Sequence, residues 1–156
     1  MQIFINILGI VGAFWFMEFA AWFAHKYVMH TFGWGFHEDH HRSHGKYFHK
    51  NDLFALIFAI PSWLNMMFGI MAGCDIRLYF GIGILLYGVA YVYVHEAVIH
   101  NRWGNRKKVR GWYLQGVARA HFAHHKLDDK TDGRAIGQCF GLLIVPRKFF
   151  KIPEEK

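Results

Sequence analysis

Between Leu53 and Val94 the chain offers water almost nothing to hold. Two apolar runs, residues 53–72 and 78–94, are separated only by the short polar turn Gly73-Cys74-Asp75-Ile76-Arg77. A third run, residues 3–23, opens the chain and contains a single charge, Glu18. At about 1.5 Å rise per residue, about 20 residues cross a hydrocarbon core about 30 Å thick. Backbone groups inside a bilayer must bond to one another, so each run has to be a helix. The expected fold is therefore all-α: a multi-pass membrane helical bundle of about three to four membrane helices.

Composition agrees. Of 156 residues, 54% are hydrophobic and 19% aromatic, more apolar surface than a soluble domain of this size buries. The length fits one domain, residues 1–156, expected to be a single membrane-bound unit. The formal charge of +7 does not point to nucleic acid, because of where it falls. Every Lys and Arg except Arg77 lies between Lys26 and Lys50 or beyond His100. That is the bias of cytoplasmic segments in a membrane protein. The first run has neither a basic leader nor a small-residue cleavage site, so it is expected to remain as a span. Cys74 and Cys139 lack CxxC spacing and are expected towards opposite faces, which argues against a disulfide or a thiolate metal site.

Ten of the twelve histidines fall into four clusters: His25 and His30, then His37, His40 and His41, then His95 and His100, then His121, His124 and His125. Their spacing reads HX4H, HX2HH, HX4H, HX2HH, one two-part pattern written twice. The first two clusters follow the first span and the last two follow the third. With spans running down, up and down, all four reach one side, which is also the Lys/Arg-rich side. A cytoplasmic-side, histidine-rich di-metal site is the expectation.

Helical angles sharpen it. Residues i, i+3 and i+4 share a face, so His37, His40 and His41 are expected to project together, as are His121, His124 and His125. An i, i+5 pair is about 140° apart on an ideal α-helix. His25 with His30, and His95 with His100, must therefore either loosen the helix or serve different ions. Neutral imidazole suits Fe, Zn, Cu and Ni alike. Structural zinc takes four ligands, usually with Cys, whereas ten imidazoles match two ions with about five nitrogens each. In a membrane protein that count points to iron and oxygen chemistry. His44 and His49 have no partner in the repeat and are left outside the array.

Among carboxylates, Glu18, Glu38, Glu96 and Asp128 are the candidates to support ligands from behind. Glu18 lies seven residues before His25 and is expected to accept a hydrogen bond from a ligand imidazole or from a polar residue below the site. Asp39 is expected to point away from the ligand face. Gly9 and Ala13, then Ala20 and Ala24, are spaced for close helix packing. Residues 112–125 read as a helix at or above the interface. Residues 136–145 are apolar but too short to span, and are expected to pack under the site or lie in the interface. The basic residues Arg106, Lys107, Lys108, Arg110, Arg119, Lys126 and Lys130 face anionic lipid or water, with docking of an acidic electron carrier as the functional alternative.

These strings resemble a known family. Met17-Glu18, Ala24-His25-Lys26-Tyr27-Val28-Met29-His30, Trp34-Gly35-Phe36-His37, Asn51-Asp52-Leu53, Val94-His95, His100-Asn101-Arg102-Trp103 and Arg119-Ala120-His121 are similar to those of bacterial β-carotene 3-hydroxylases. That family sits within the fatty acid hydroxylase superfamily of membrane di-iron enzymes. The resemblance implies that the ten clustered histidines bind two non-haem iron ions in the cell membrane. It also implies O2 as co-substrate, electrons from reduced ferredoxin, and hydroxylation of the β-ionone rings of β-carotene at carbon 3 to cryptoxanthin and zeaxanthin. Carotenoid 4-ketolases and fatty-acid or sterol hydroxylases use similar boxes and are the enzymatic alternatives. A His-rich metal carrier or a bis-His haem protein is the non-enzyme alternative.

Overall fold

The computed structural model describes residues 1–42, 48–103, 109–126 and 139–151. Within them every regular element is helical: α1 Gln2–Ala24, α2 Trp34–Arg42, α3 Phe54–Met71, α4 Ile76–Tyr91 and α5 Trp112–His124. Short 3-10 turns at Lys50–Leu53 and Arg147–Phe150 join or follow them. Three helical stretches, Gln2–Met29, Lys50–Met71 and Ile76–Ile99, are long and apolar enough to cross a membrane. They match the three expected runs and extend each of them on the histidine side. Large side chains such as Phe4, Ile7, Trp15, Ile57, Trp63 and Val89 stand exposed on these helices, the surface a bilayer covers.

α4 is the central span, packed against both α1 and α3. Small residues permit the approach. A Cβ on Gly83 would lie 2.4 Å from the Ile10 carbonyl oxygen and 2.7 Å from the Ala13 Cβ. One on Gly9 would meet Ile76 at 2.9 Å. The Gly9–Ala13 face of α1 is thus the one that meets α4, as its spacing implies. On the other side, Gly69 lies against Leu78, and Gly81 against Ser62 and Met66. Ser62 also donates its hydroxyl to the Gly81 carbonyl oxygen at 2.8 Å, so this contact is hydrogen-bonded as well as close.

The hairpin between α3 and α4 is turned by Gly73 (φ 81°) and Cys74 (φ 65°). Asp75 then caps α4, accepting the Arg77 backbone N–H at 3.0 Å, an arrangement typically worth about 1 kcal/mol. α3 continues through Pro61, whose carbonyl oxygen accepts the Asn65 side chain at 2.8 Å. Residues 139–145 are irregular and lie beneath the histidines, with Leu142 buried and Ile144 exposed. They follow the packed alternative of the two expected for this stretch. Residues 136–138 lie outside the described residues.

Candidate metal centre

The two HX4H motifs fall where the first and third spans change their winding. α1 passes into a π-turn at His25–Met29, and His30 donates its backbone N–H to the His25 carbonyl at 3.1 Å. α4 passes into a π-helix at Val92–Ile99, with the His100 N–H on the His95 carbonyl at 2.9 Å. An i→i+5 hydrogen bond brings residues five apart onto one face, and such bulges cluster at functional sites. The Nε2 atoms of His25 and His30 are consequently 3.3 Å apart, and the rings of His95 and His100 are 4.6 Å apart. Of the two routes left open by the spacing, the helix takes the loosening.

Nine histidines converge in two groups capable of holding an ion. The first is His25, His30, His37, His41 and His124; the second is His40, His95, His100 and His121. His37, His40 and His41 do share a face of α2, yet His40 turns to the second group while its neighbours serve the first. α5 divides likewise, His121 to the second group and His124 to the first. Each splayed pair stays within one group and the triplets divide, because α2 and α5 lie between the two groups. In the internal repeat His125 is the counterpart of His41. Its ring stacks on His41 at 4.2 Å and packs against His121 at 4.3 Å, His40 at 4.8 Å and His100 at 4.9 Å.

The nitrogens are set as a cation needs them. Imidazole nitrogens bind first-row divalent ions at about 2.1 Å, so two of them at right angles around one ion lie about 3.0 Å apart. Nε2 of His25 is 3.0 Å from that of His37 and 3.0 Å from that of His124. His30 to His124 is 3.1 Å, His41 to His37 3.0 Å, and His100 to His121 2.8 Å. Hydrogen bonding between rings does not explain this spacing. His25 donates Nδ1–H to the Phe140 carbonyl at 3.0 Å, and His37 donates its own to Asn51 Oδ1 at 2.6 Å. Both rings therefore turn a bare Nε2 lone pair towards the other. Two lone pairs at that distance repel unless a cation sits between them. Nε2 of His40 is buried without a hydrogen-bond partner among the described residues. The donor set fits a metal ion in each group.

Burial keeps the imidazoles neutral, the form a metal binds. Desolvation, helped by the neighbouring His37 ring, pushes His30 down to about 3. Desolvation pushes His37 down to about 4 against the opposing effect of its hydrogen bond to Asn51. Burial and then His95 and its neighbours push His100 down to about 2. His40, His41, His121 and His124 are also held well below the usual imidazole range, first by burial and then by surrounding imidazoles.

The supporting carboxylates separate. Glu96 lies behind a histidine: its Oε1 is 2.7 Å from Nδ1 of His95, and its Oε2 pairs with Arg102 Nε at 2.9 Å. Glu18 serves no imidazole. Its Oε2 accepts the Tyr87 hydroxyl at 2.7 Å, and its Oε1 accepts the backbone N–H groups of Leu143 and Ile144, each at 2.8 Å. It holds residues 139–145 in place, and they in turn present the Phe140 carbonyl to His25. Glu38 turns outward to Arg42 at 2.9 Å, since it lies one residue off the ligand face of α2. Asp39 points away as expected, accepting the Lys50 backbone N–H at 2.7 Å. Asp128 and His44 lie outside the described residues, as do Arg106, Lys107, Lys108 and Lys130. His49 belongs to neither group, its ring 6.0 Å from that of His40.

Three supporting residues do not stand out for this role in the sequence. Asn51 orients His37, and Arg102 bridges Glu96 to Asp52, whose Oδ1 is 3.0 Å from Arg102 Nη2. The available signal is an Asn-Asp pair set immediately before an apolar span, where neither residue helps insertion.

Both groups border one cavity of about 840 Å³. His25, His37, His95 and His121 stand at one end, and the remaining wall is mainly apolar, including Phe58, Met66, Ile84 and Gly88. A membrane helical bundle with paired polyhistidine centres facing an apolar cavity defines a class of membrane metalloprotein. Residues 10–145 match the fatty acid hydroxylase family model, and the chain belongs to that family. A beta-carotene hydroxylase of Pantoea ananas is 36% identical over 144 residues, covering 92% of this chain and 75% of that protein. One from a Paracoccus species is 31% identical over 142 residues, covering 90% and 85%. A chloroplastic beta-carotene 3-hydroxylase of an Oncidium hybrid cultivar is 40% identical over 134 residues, covering 84% of this chain and 43% of that protein. No solved structure matches the chain.

Proposed function

We propose that this chain is a membrane di-iron hydroxylase that places a hydroxyl group on carbon 3 of the β-ionone rings of β-carotene, giving β-cryptoxanthin and then zeaxanthin. The observation that carries the reading is one apolar cavity bordered by histidines of both groups. The names of its bacterial and plant relatives support the substrate.

His25, His30, His37, His41 and His124 would hold one iron, and His40, His95, His100 and His121, completed by His125, the other. The iron pair, when bound, activates dioxygen to convert a ring C–H into C–OH, with electrons from reduced ferredoxin. The chain's own residues prepare that chemistry. Phe140, Asn51 and Glu96 fix the rings of His25, His37 and His95 from behind, so that each presents a lone pair forward. The apolar walls keep water scarce and admit a lipid-soluble substrate from the bilayer. The charge bias supports a cytoplasmic position for the histidines, where a soluble acidic donor reaches them. The whole of residues 1–156 acts as one domain.

Expression in cells that accumulate β-carotene, with pigment analysis, tests the reading. Zeaxanthin is the expected product. Ketolated rings would instead identify a 4-ketolase, and iron-loaded protein with no carotenoid product would identify a lipid hydroxylase.

A further inference from the structure

Gly81, Gly88 and His95 recur at intervals of seven residues along α4 and its π-helical extension. The two glycines have opposite surroundings. A Cβ on Gly81 would strike Met66 and the Ser62 carbonyl oxygen at 2.7 to 2.8 Å, so this glycine closes the seam between α3 and α4. A Cβ on Gly88 would meet nothing within 4 Å. Packing therefore does not require glycine at position 88, and glycine costs a helix about 1 kcal/mol relative to alanine. Gly88 nevertheless stands in the wall of the cavity that ends at the histidines, together with the small side chains Ala55 and Ala59 of α3.

We propose that Gly88 is a specificity-determining residue, leaving in the cavity wall the width that a methyl-bearing carotenoid ring needs to reach the metal pair. The inference rests on the function proposed above and adds the residue that sets ring admission. Seven residues put Gly88 about 10 Å before His95 along the helix axis. A ring whose carbon 3 faces the imidazoles carries its dimethyl carbon only two bonds away, so the ring and the start of its chain pass the cavity wall that Gly88 helps to form. A side chain there would take up space on the cavity side, and its Cβ would meet no iron ligand or neighbouring helix within 4 Å.

The test compares wild-type protein with Gly88→Ala, Gly88→Leu and Gly12→Leu in detergent. Gly12 lies on α1 and does not line the cavity. A Cβ there would likewise meet nothing within 4 Å, so Gly12→Leu controls for adding bulk to a span. Three quantities are measured: iron per chain, β-carotene binding by iron-loaded protein kept under argon (read as quenching of tryptophan fluorescence), and hydroxylated product. Gly88→Leu is expected to keep wild-type iron, to weaken β-carotene binding, and to lower product formation about a hundredfold, the scale of a misplaced substrate. Gly88→Ala falls between, and Gly12→Leu matches wild type. Wild-type binding and turnover in Gly88→Leu would overturn the inference, as would loss of its iron or an equal loss in Gly12→Leu. A wild-type protein that holds iron but turns over no carotenoid would instead overturn the proposed function.

Discussion

His37 donates its Nδ1–H to Oδ1 of Asn51 across 2.6 Å, and this buried contact decides which ring nitrogen faces the metal centre. Asn51 sits in the 3-10 turn that leads into α3, so the entry to one span orients a ligand carried by α2. Replacing it with leucine removes the acceptor and frees the tautomer. Asn51→Leu is expected to weaken iron retention about 10- to 100-fold, measured against a competing chelator. Asn51→Asp keeps an acceptor and is expected to restore most of it.

Adjacent histidines fall in different groups, and metal counting tests whether each group holds its own ion. His40→Ala and His41→Ala are each expected to leave about one iron per chain instead of about two, with hydroxylation lost in both. The double variant is expected to hold about none. Were both residues ligands of one ion, the double variant would retain as much iron as either single one.

Arg102 joins two acidic groups in a largely buried setting, Glu96 at 2.9 Å and Asp52 at 3.0 Å. Its removal strands the Glu96 carboxylate, which is 7% exposed, beside His95. Arg102→Leu is expected to cost about 3 kcal/mol, visible as a lowered Tm in detergent. Arg102→Lys offers one point charge in place of a planar fork and is expected to recover only part of that loss.

Glu18 is a membrane carboxylate whose task lies away from the metals. Glu18→Leu deprives the N–H groups of Leu143 and Ile144 of their acceptor, at about 1–3 kcal/mol for each orphaned group. With that anchor gone, the Phe140 carbonyl no longer holds His25. Iron of the first group is therefore expected to be lost at lower chelator concentration, while Glu18→Gln, which retains an acceptor oxygen, stays near wild type.

Much of this was legible in the residues. Apolar length alone marked the three spans, since a bilayer leaves a run of that size no other conformation. The four clusters, and their meeting on one side, followed from span parity. What spacing did not convey was the division of the triplets. Angles around a single helix say which side chains share a face, but a face as broad as His37, His40 and His41 can look onto two centres. The π-turns were one of two options left by the HX4H spacing, and only the hydrogen bonds from His30 and His100 decide between them. Glu18 stood out for being costly in a span, yet the partner that justifies it is backbone more than 120 residues away. No local pattern carries that information.

The division of α2 has a mechanical consequence. His40 and His41 are joined by one peptide unit, whose Cα–Cα length is about 3.8 Å, and they belong to different groups. His121 and His124 repeat the arrangement within one turn of α5. Two helices thus act as rulers laid across the pair of groups, and would set by covalent geometry the separation of ions held there. Neither group can drift from the other while both helices stay wound, so the spacing between them is written into the backbone.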